Sequence, residues 1–262
     1  MKIPNVDESQ PLPNTPLQPS LFPIEAKDIY RNDQGSADLQ MIATAVNNKD
    51  YAVKTIADGN GFVPLTELFS YELARELSIA TPNYALIKLR DQSIGFGSEW
   101  EGGVLILRES SKVLDVLNGS TQVRGLKAFL SRVFALDLFL NNIDRHFGNY
   151  IFRDSYSGVI ALAYDFSRAW YAFKPYGYES ISDSTANTFV CHKLICTTNN
   201  FDASIALATL NEIKNINVEV INRILSNAPN EWLPEDTRKE ILDWWGSQDM
   251  ENRITHLKSR IH

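Results

Sequence analysis

The order of apolar and polar positions predicts strands in the first part of the chain and helices in the last. QMIATAV (40–46) and YAVKTIA (51–57), joined by the polar turn NNKD, read as two strands of an antiparallel hairpin with Lys54 inside the second. Leu65, Leu68, Phe69, Leu73 and Leu77 make a helical stripe over 65–77, introduced by Pro64. YALIKL (84–89) and GVLILRE (103–109) are again strand-like, with a glycine-containing connection between them. From Leu126 the sequence LKAFLSRVFALDLFLNN is apolar around most of a helical circumference, which predicts a helix buried in a lobe. It runs into YIFR (150–153) and VIALAY (159–164), which flank the turn residues DSYSG and predict a short hairpin. Beyond about residue 200 helical patterns dominate, in SIALATLNEI, in VEVINRILSN and from Pro234 through TRKEILDWW.

Residues 1–24 depart from this regularity and read as an extended proline-rich arm. The 262 residues are 44% apolar and 22% charged, the composition of an ordinary soluble globular protein. A net charge of −7 argues against a broad nucleic-acid-binding face. Cys191 and Cys196 are too few and too close for a disulfide scaffold or a four-ligand zinc site, and read as reduced thiols of a cytoplasmic protein. The N-terminus lacks the apolar core of a secretory signal, and no run of about 18 apolar residues occurs, so neither secretion nor membrane insertion is expected.

The chemistry concentrates around the second hairpin. Polar groups gathered at a buried element are costly unless paired or bound to an ion. Asn149 immediately precedes the first strand and Asp165 immediately follows the second, so an antiparallel turn brings both to one end. Asp144 lies in the loop that feeds the same end. Oxygen ligands of this kind suit Mg2+. The Asp-x-x-x-x-Asn spacing of Asp144 and Asn149 recurs in the kinase catalytic loop, and Asp165-Phe166-Ser167 stands where the metal aspartate of Asp-Phe-Gly stands. An isolated Asp-x-x-x-x-Asn is common by chance. Joined to a buried helix, a hairpin of suitable length and a strand lysine, it points to ATP-dependent phosphoryl transfer.

NNIDRHFGN with the following YDFSRAW resembles the catalytic and metal-binding segments of HipA-like Ser/Thr kinases. DYAVKT resembles that family's strand with the ATP lysine, and TELFSYELARELSIATP its next helix, so the likeness covers most of residues 35–170. It implies an α+β, two-lobed protein-kinase-like fold, with an N-lobe over 25–110, mainly antiparallel sheet plus one helix, and a helical C-lobe over 111–262. It further implies that Lys54 contacts the α- and β-phosphates of ATP, that Glu67 orients Lys54, that Asp144 is the catalytic base, and that Asn149 and Asp165 bind Mg2+. Glu72 and Glu76 remain alternatives to Glu67, and alternation allows Lys54 either face of its strand. His146 is expected to brace the loop or the metal-site aspartate. Arg145 and Arg168 are open to pairing with the site's carboxylates, binding phosphate or pairing on the surface.

The phosphate-covering loop lacks Gly-x-Gly-x-x-Gly; the segment DQGSADLQ offers Gly35 and the Ser36 hydroxyl in its place. Backbone groups around Leu107 to Glu109 are expected to read the adenine edge, and Leu105 and Leu107 read equally as its apolar wall or as core. Ser167 replaces the glycine of Asp-Phe-Gly. The resemblance implies transfer to a protein hydroxyl as the toxin of a bacterial toxin–antitoxin system. The implied target is a translation factor or aminoacyl-tRNA synthetase, and the implied partner an antitoxin. Two alternatives stand beside it: a small-molecule or lipid kinase, and a nucleotide-binding pseudokinase that acts as an interaction module.

Overall fold

Ala43, Ala45, Tyr51 and Val53 take alternate positions on two paired strands, and the face they share becomes the inside of a closed barrel. A computed structural model describes residues 22–31, 41–59, 61–105, 110–156, 158–169 and 184–261. The barrel strands are β1 (Ile24–Arg31), β2 (Met41–Ala45), β3 (Asp50–Lys54), β4 (Tyr84–Lys88) and β5 (Ile94–Glu99), in the order β1-β2-β3-β5-β4. A parallel β1–β4 pairing closes it, and every other pairing is antiparallel. Ala85, Ile87 and Leu89 of β4 and its exit complete the interior. The first 21 residues of the expected arm, and the loop holding Gly35 and Ser36, lie outside the described residues.

The strand beside β4 is IGFGSE, which lies in the stretch expected to be the glycine-containing connection to GVLILRE. The reason is the width of the barrel. A Cβ built on Gly97 would lie 2.5 Å from Ile87 Cγ1 and 3.1 Å from Tyr51 Cβ, and one on Gly95 2.5 Å from Val53 Cγ1. Few strands enclose a narrow interior, so the inward positions of β5 carry no side chain, and a strand whose inner residues are glycine reads as a loop. Within 103–109, Val104 forms an isolated bridge to Arg153, and residues 106–109 lie outside the described residues.

The outer face of β3 and β5 carries the other alternation, Ala52 and Lys54 opposite Ser98 and Phe96. Helix α1 (Val63–Glu76) covers this face, with Tyr71 Oη 2.9 Å from Ser98 Oγ and its ring edge-on to Phe96. Lys54 therefore points away from the barrel core and is still buried, which resolves the either-face reading.

Residues Val63 to Ala74 are all buried, a wider surface than the predicted stripe. The far side of α1 meets Trp245 and α6 (Val218–Ser226).

The rest of the chain builds on α3 (Leu126–Phe139), the apolar helix of the sequence pattern. Before it comes α2 (Ser110–Leu117), and after it the hairpin of β6 (Tyr150–Ser155) and β7 (Gly158–Ala163), at the predicted place. Around α3 pack α4 (Asn187–Thr197), α5 (Ala203–Lys214) and α8 (Gln248–Lys258), with α7 (Glu235–Trp244) against α6. Arg253 of α8 donates to the carbonyls of Leu138 and Phe139 at 3.2 and 2.8 Å, satisfying acceptors that the end of α3 leaves open. One apolar cluster runs from α1 through α3 to α8, and the barrel interior forms a second. Cys191 is buried and Cys196 exposed, both free thiols, and among the described residues no helix is long and apolar enough to cross a membrane.

Gly97→Ala tests the barrel's closure. The added methyl should lower the unfolding free energy by about 1–3 kcal/mol in urea titrations, as overpacking does; a neutral substitution would mean the wall yields.

Candidate active site

Lys54 ends β3 with its ammonium between two carboxylates from distant parts of the chain, 2.5 Å from Glu67 Oε1 of α1 and 2.6 Å from Asp165 Oδ1 just beyond β7. Side-chain exposure is 9% for Lys54, 1% for Glu67 and 22% for Asp165. A charge so placed is tolerable only when paired and hydrogen-bonded. Both Glu67 oxygens accept the Phe166 N–H at 3.1 Å, which ties the residue after Asp165 to α1. Asp165 has a φ of 57°, a left-handed conformation that aspartate tolerates better than most side chains. The Ser167 hydroxyl donates to Asp165 Oδ1 at 2.7 Å, so the serine that replaces the motif glycine holds the aspartate.

Burial opposes the charge on Lys54, but Asp165 and Glu67 outweigh it and hold the ammonium above its ordinary pKa. Burial likewise opposes ionisation of Asp165, and Lys54 with the Ser167 hydrogen bonds reverses this, keeping the carboxyl well below the usual range. For Glu67 burial is the largest influence and, with repulsion from Asp165, pushes the carboxyl up against the pull of Lys54. The two alternative acids are engaged elsewhere: Glu72 accepts from Arg75 and Tyr84, both at 2.6 Å, and Glu76 from Arg223 at 2.7 Å.

The loop between α3 and β6 is organised by Arg145. Its guanidinium is buried and pairs with Asp137 of α3 through Nε at 2.8 Å and Nη2 at 3.0 Å. Nη1 donates to the carbonyls of Asn149 and Tyr164 at 3.0 and 2.6 Å, and the group sits 4.5 Å above the Phe166 ring. Arg145 thus joins α3, the start of β6 and the end of β7. This corrects the three readings open to it: its partner is Asp137, a carboxylate of the helix rather than of the site or the surface. Asn142 also donates to Asp137, at 2.7 Å.

Asn149 donates its carboxamide to the Asp144 carbonyl at 3.0 Å, and its own carbonyl accepts the Tyr164 N–H at 3.2 Å. The hairpin therefore brings Asp144, Asn149 and Asp165 to one end. Asp144 is half-buried, with Oδ1 accepting from Asn187 of α4 at 2.5 Å. His146 is exposed; its Nδ1 accepts the Gly148 N–H at 3.0 Å and so braces the 3-10 turn Phe147–Asn149 rather than Asp165. A Cβ on Gly148 would lie 2.7 Å from the imidazole Cε1, so this brace needs glycine there.

The donor set suits a hard cation. The contacts to Asp165 fall on Oδ1, leaving Oδ2, and the Asn149 amide nitrogen is committed, leaving its oxygen. A cation meeting those two oxygens would have one carboxylate and one carboxamide, the sparse protein shell typical of Mg2+; among the described residues no group of three or more His, Cys, Asp or Glu could hold a metal. Leu107 and Glu109 lie outside the described residues, and Leu105 is half-buried, donating its N–H to Phe152 at 2.7 Å. The sequence reading missed Asp137, Asn142, Asn187 and Thr188. A carboxylate alone on an apolar helix was a usable signal for Asp137; nothing local marks Asn187, 43 residues from Asp144.

The fold defines the class: the chain has a protein-kinase-like fold. It superposes on the Helicobacter pylori proinflammatory kinase CtkA with a TM-score of 0.55 and 15% identity over 91% of this chain and 98% of the other. HipA of Shewanella oneidensis MR-1, from a toxin–antitoxin complex with HipB and operator DNA, matches with a TM-score of 0.50 and 11% identity over 95% and 70%. A Golgi casein kinase with Mn and ADP bound matches with a TM-score of 0.50 and 14% identity over 92% and 73%. No protein-family model and no curated protein sequence matches the chain.

Asp137→Ala strands the Arg145 charge in the interior and should cost about 3–5 kcal/mol in denaturant unfolding; a loss below about 1 kcal/mol would deny Arg145 its central role. Asp165 gives a pH signature. Its folded pKa lies below the ordinary value, so its stabilisation is present above about pH 3.9 and is lost as pH falls through the folded value. Asp165→Asn should therefore remove up to about one proton, about 1.4 kcal/mol per pH unit, from the acid slope of stability. An unchanged slope would show that Asp165 carries no depressed pKa.

Proposed function

We propose that the protein is an ATP- and Mg2+-dependent phosphotransferase of HipA-like type that phosphorylates a Ser or Thr hydroxyl of a protein. The observation that carries this reading is the Lys54 ammonium bridging Glu67 and Asp165 beside Asp144 and Asn149. In this reading residues 25–110 form the N-lobe and 111–262 the C-lobe, with nucleotide between them.

Lys54, oriented by Glu67, reaches the α- and β-phosphates. Asn149 and Asp165 hold the cation through their uncommitted oxygens. A Mg2+ ion held there would supply neutralisation of the charge on the transferring phosphate. Asp144 accepts the proton of the attacking hydroxyl. The Gly35 and Ser36 segment covers the phosphates, and the backbone around Leu107 to Glu109 reads the adenine. His146 acts on the site only through the turn it braces. A target in translation, an aminoacyl-tRNA synthetase or a translation factor, and an antitoxin partner follow from the family resemblance, supported by the fold shared with HipA. The reading places the protein in the cytoplasm.

Mg2+-dependent ATP consumption should fall by about 10²–10⁴-fold in Asp144→Ala, the usual contribution of a general base; equal, negligible turnover in wild type and variant would sink the enzyme reading. Asp165→Ala should abolish Mg2+-dependent ATP binding in calorimetry, and unchanged binding would remove Asp165 from the metal site.

A further inference from the structure

The backbone on both sides of Asp144 is pinned. Its N–H donates to Asn142 Oδ1 at 3.3 Å and its carbonyl accepts from Asn149 at 3.0 Å. Thr188, buried in the first turn of α4, donates to the Asn142 carbonyl at 2.5 Å and accepts the Arg145 N–H at 3.0 Å. What remains free is rotation of the Asp144 side chain. The neighbour of Thr188 removes that freedom: Asn187 Nδ2 donates to Asp144 Oδ1 at 2.5 Å. Two adjacent residues of one helical turn thus divide the work, Thr188 holding the loop's backbone and Asn187 the carboxylate. Thr188 is buried, whereas Asn187 is exposed and Asp144 half-buried, so the carboxamide meets the carboxylate at the solvent edge.

We propose that Asn187 is a positioning residue for Asp144 in phosphoryl transfer, an inference that rests on the function proposed above. The carboxamide N–H commits Oδ1 and turns Oδ2 toward the nucleophile. As the hydroxyl oxygen bonds to the γ-phosphorus, the bond from that phosphorus to the β,γ-bridging oxygen breaks. Its electron pair leaves with the nucleoside diphosphate, and the hydroxyl proton passes to Asp144 Oδ2. A carboxylate free to rotate accepts that proton from fewer of its orientations, so the loss falls on the chemical step and leaves nucleotide binding intact.

The test measures kcat and KM for Mg2+-ATP, with water as acceptor, together with the thermal midpoint, in wild type, Asp144→Ala, Asn187→Ala, Asn187→Asp and Asn187→Gln. Asn187→Ala should lower kcat by about 10- to 100-fold, with KM and midpoint unchanged. Asn187→Asp, which sets an acceptor and a like charge against Asp144, should lose more. Asn187→Gln, which keeps the donor, should recover part of the loss. Wild-type kcat in Asn187→Ala, or a loss confined to KM or to the midpoint, overturns the positioning role while Asp144→Ala remains inactive. Turnover that is the same in wild type and Asp144→Ala overturns the phosphotransfer reading, and the role of Asn187 with it.

Discussion

An ammonium that keeps 9% of its side-chain exposure can stay charged only while anions replace its lost hydration, and for Lys54 those anions are Glu67 and Asp165. Each acid comes from a different element, α1 and the exit of β7, so the charge requirement is also a spatial one. The outer face of β3, the inner face of α1 and the end of the hairpin must meet at a single point. Asp165 is 111 residues from Lys54 in sequence, and the ion pair is what the barrel and the hairpin share at the site. The Phe166 N–H on Glu67 adds a backbone tie in the same place.

A second buried ion pair stands behind the first. Asp137 and Arg145 are almost wholly inside, and the guanidinium spends its remaining donors on the carbonyls that begin β6 and end β7. Phe166 lies between the two pairs, its ring under Arg145 and its N–H on Glu67. The hairpin ends carrying Asn149 and Asp165 are therefore gripped from the helical side by Arg145 and from the barrel side by Lys54. Such pairs are weak sources of net stability, because desolvation takes back most of the attraction. Their effect here is positional: one arrangement satisfies all the charges, and shifting either hairpin end would leave a buried group unpaired. Arg253, capping the end of α3 from the C-terminal helix, extends the same constraint to the root of the loop.

The convergence of Asp144, Asn149 and Asp165 was legible because it is local. The loop from Asp144 to Asn149 and the hairpin that returns at Asp165 span little sequence, and antiparallel pairing fixes which ends meet. Lys54 was legible as a strand residue. The choice of Glu67 over Glu72 and Glu76 was not, because it depends on which face of α1 meets β3 and on Arg75, Tyr84 and Arg223 occupying the other two acids. The strand IGFGSE was hidden for a related reason: its inner positions are empty because a narrow barrel has no room for side chains, so the usual alternation is inverted.

The sequence by itself determined the elements with strong periodicity, the α+β character, the hairpin and the meeting of Asp144, Asn149 and Asp165 at its one end, since each follows from spacing within a short stretch. The tertiary structure alone decided the barrel's closure, the pairing of Arg145 with Asp137 and the clasp of Asn187 and Thr188 on the loop. Those depend on burial and on contacts between distant segments, Ile24 with Ile87 in the barrel's closure and Thr188 with Asn142 in the loop. Burial is settled by the packing of the whole chain, and no local pattern of apolar and polar positions encodes it.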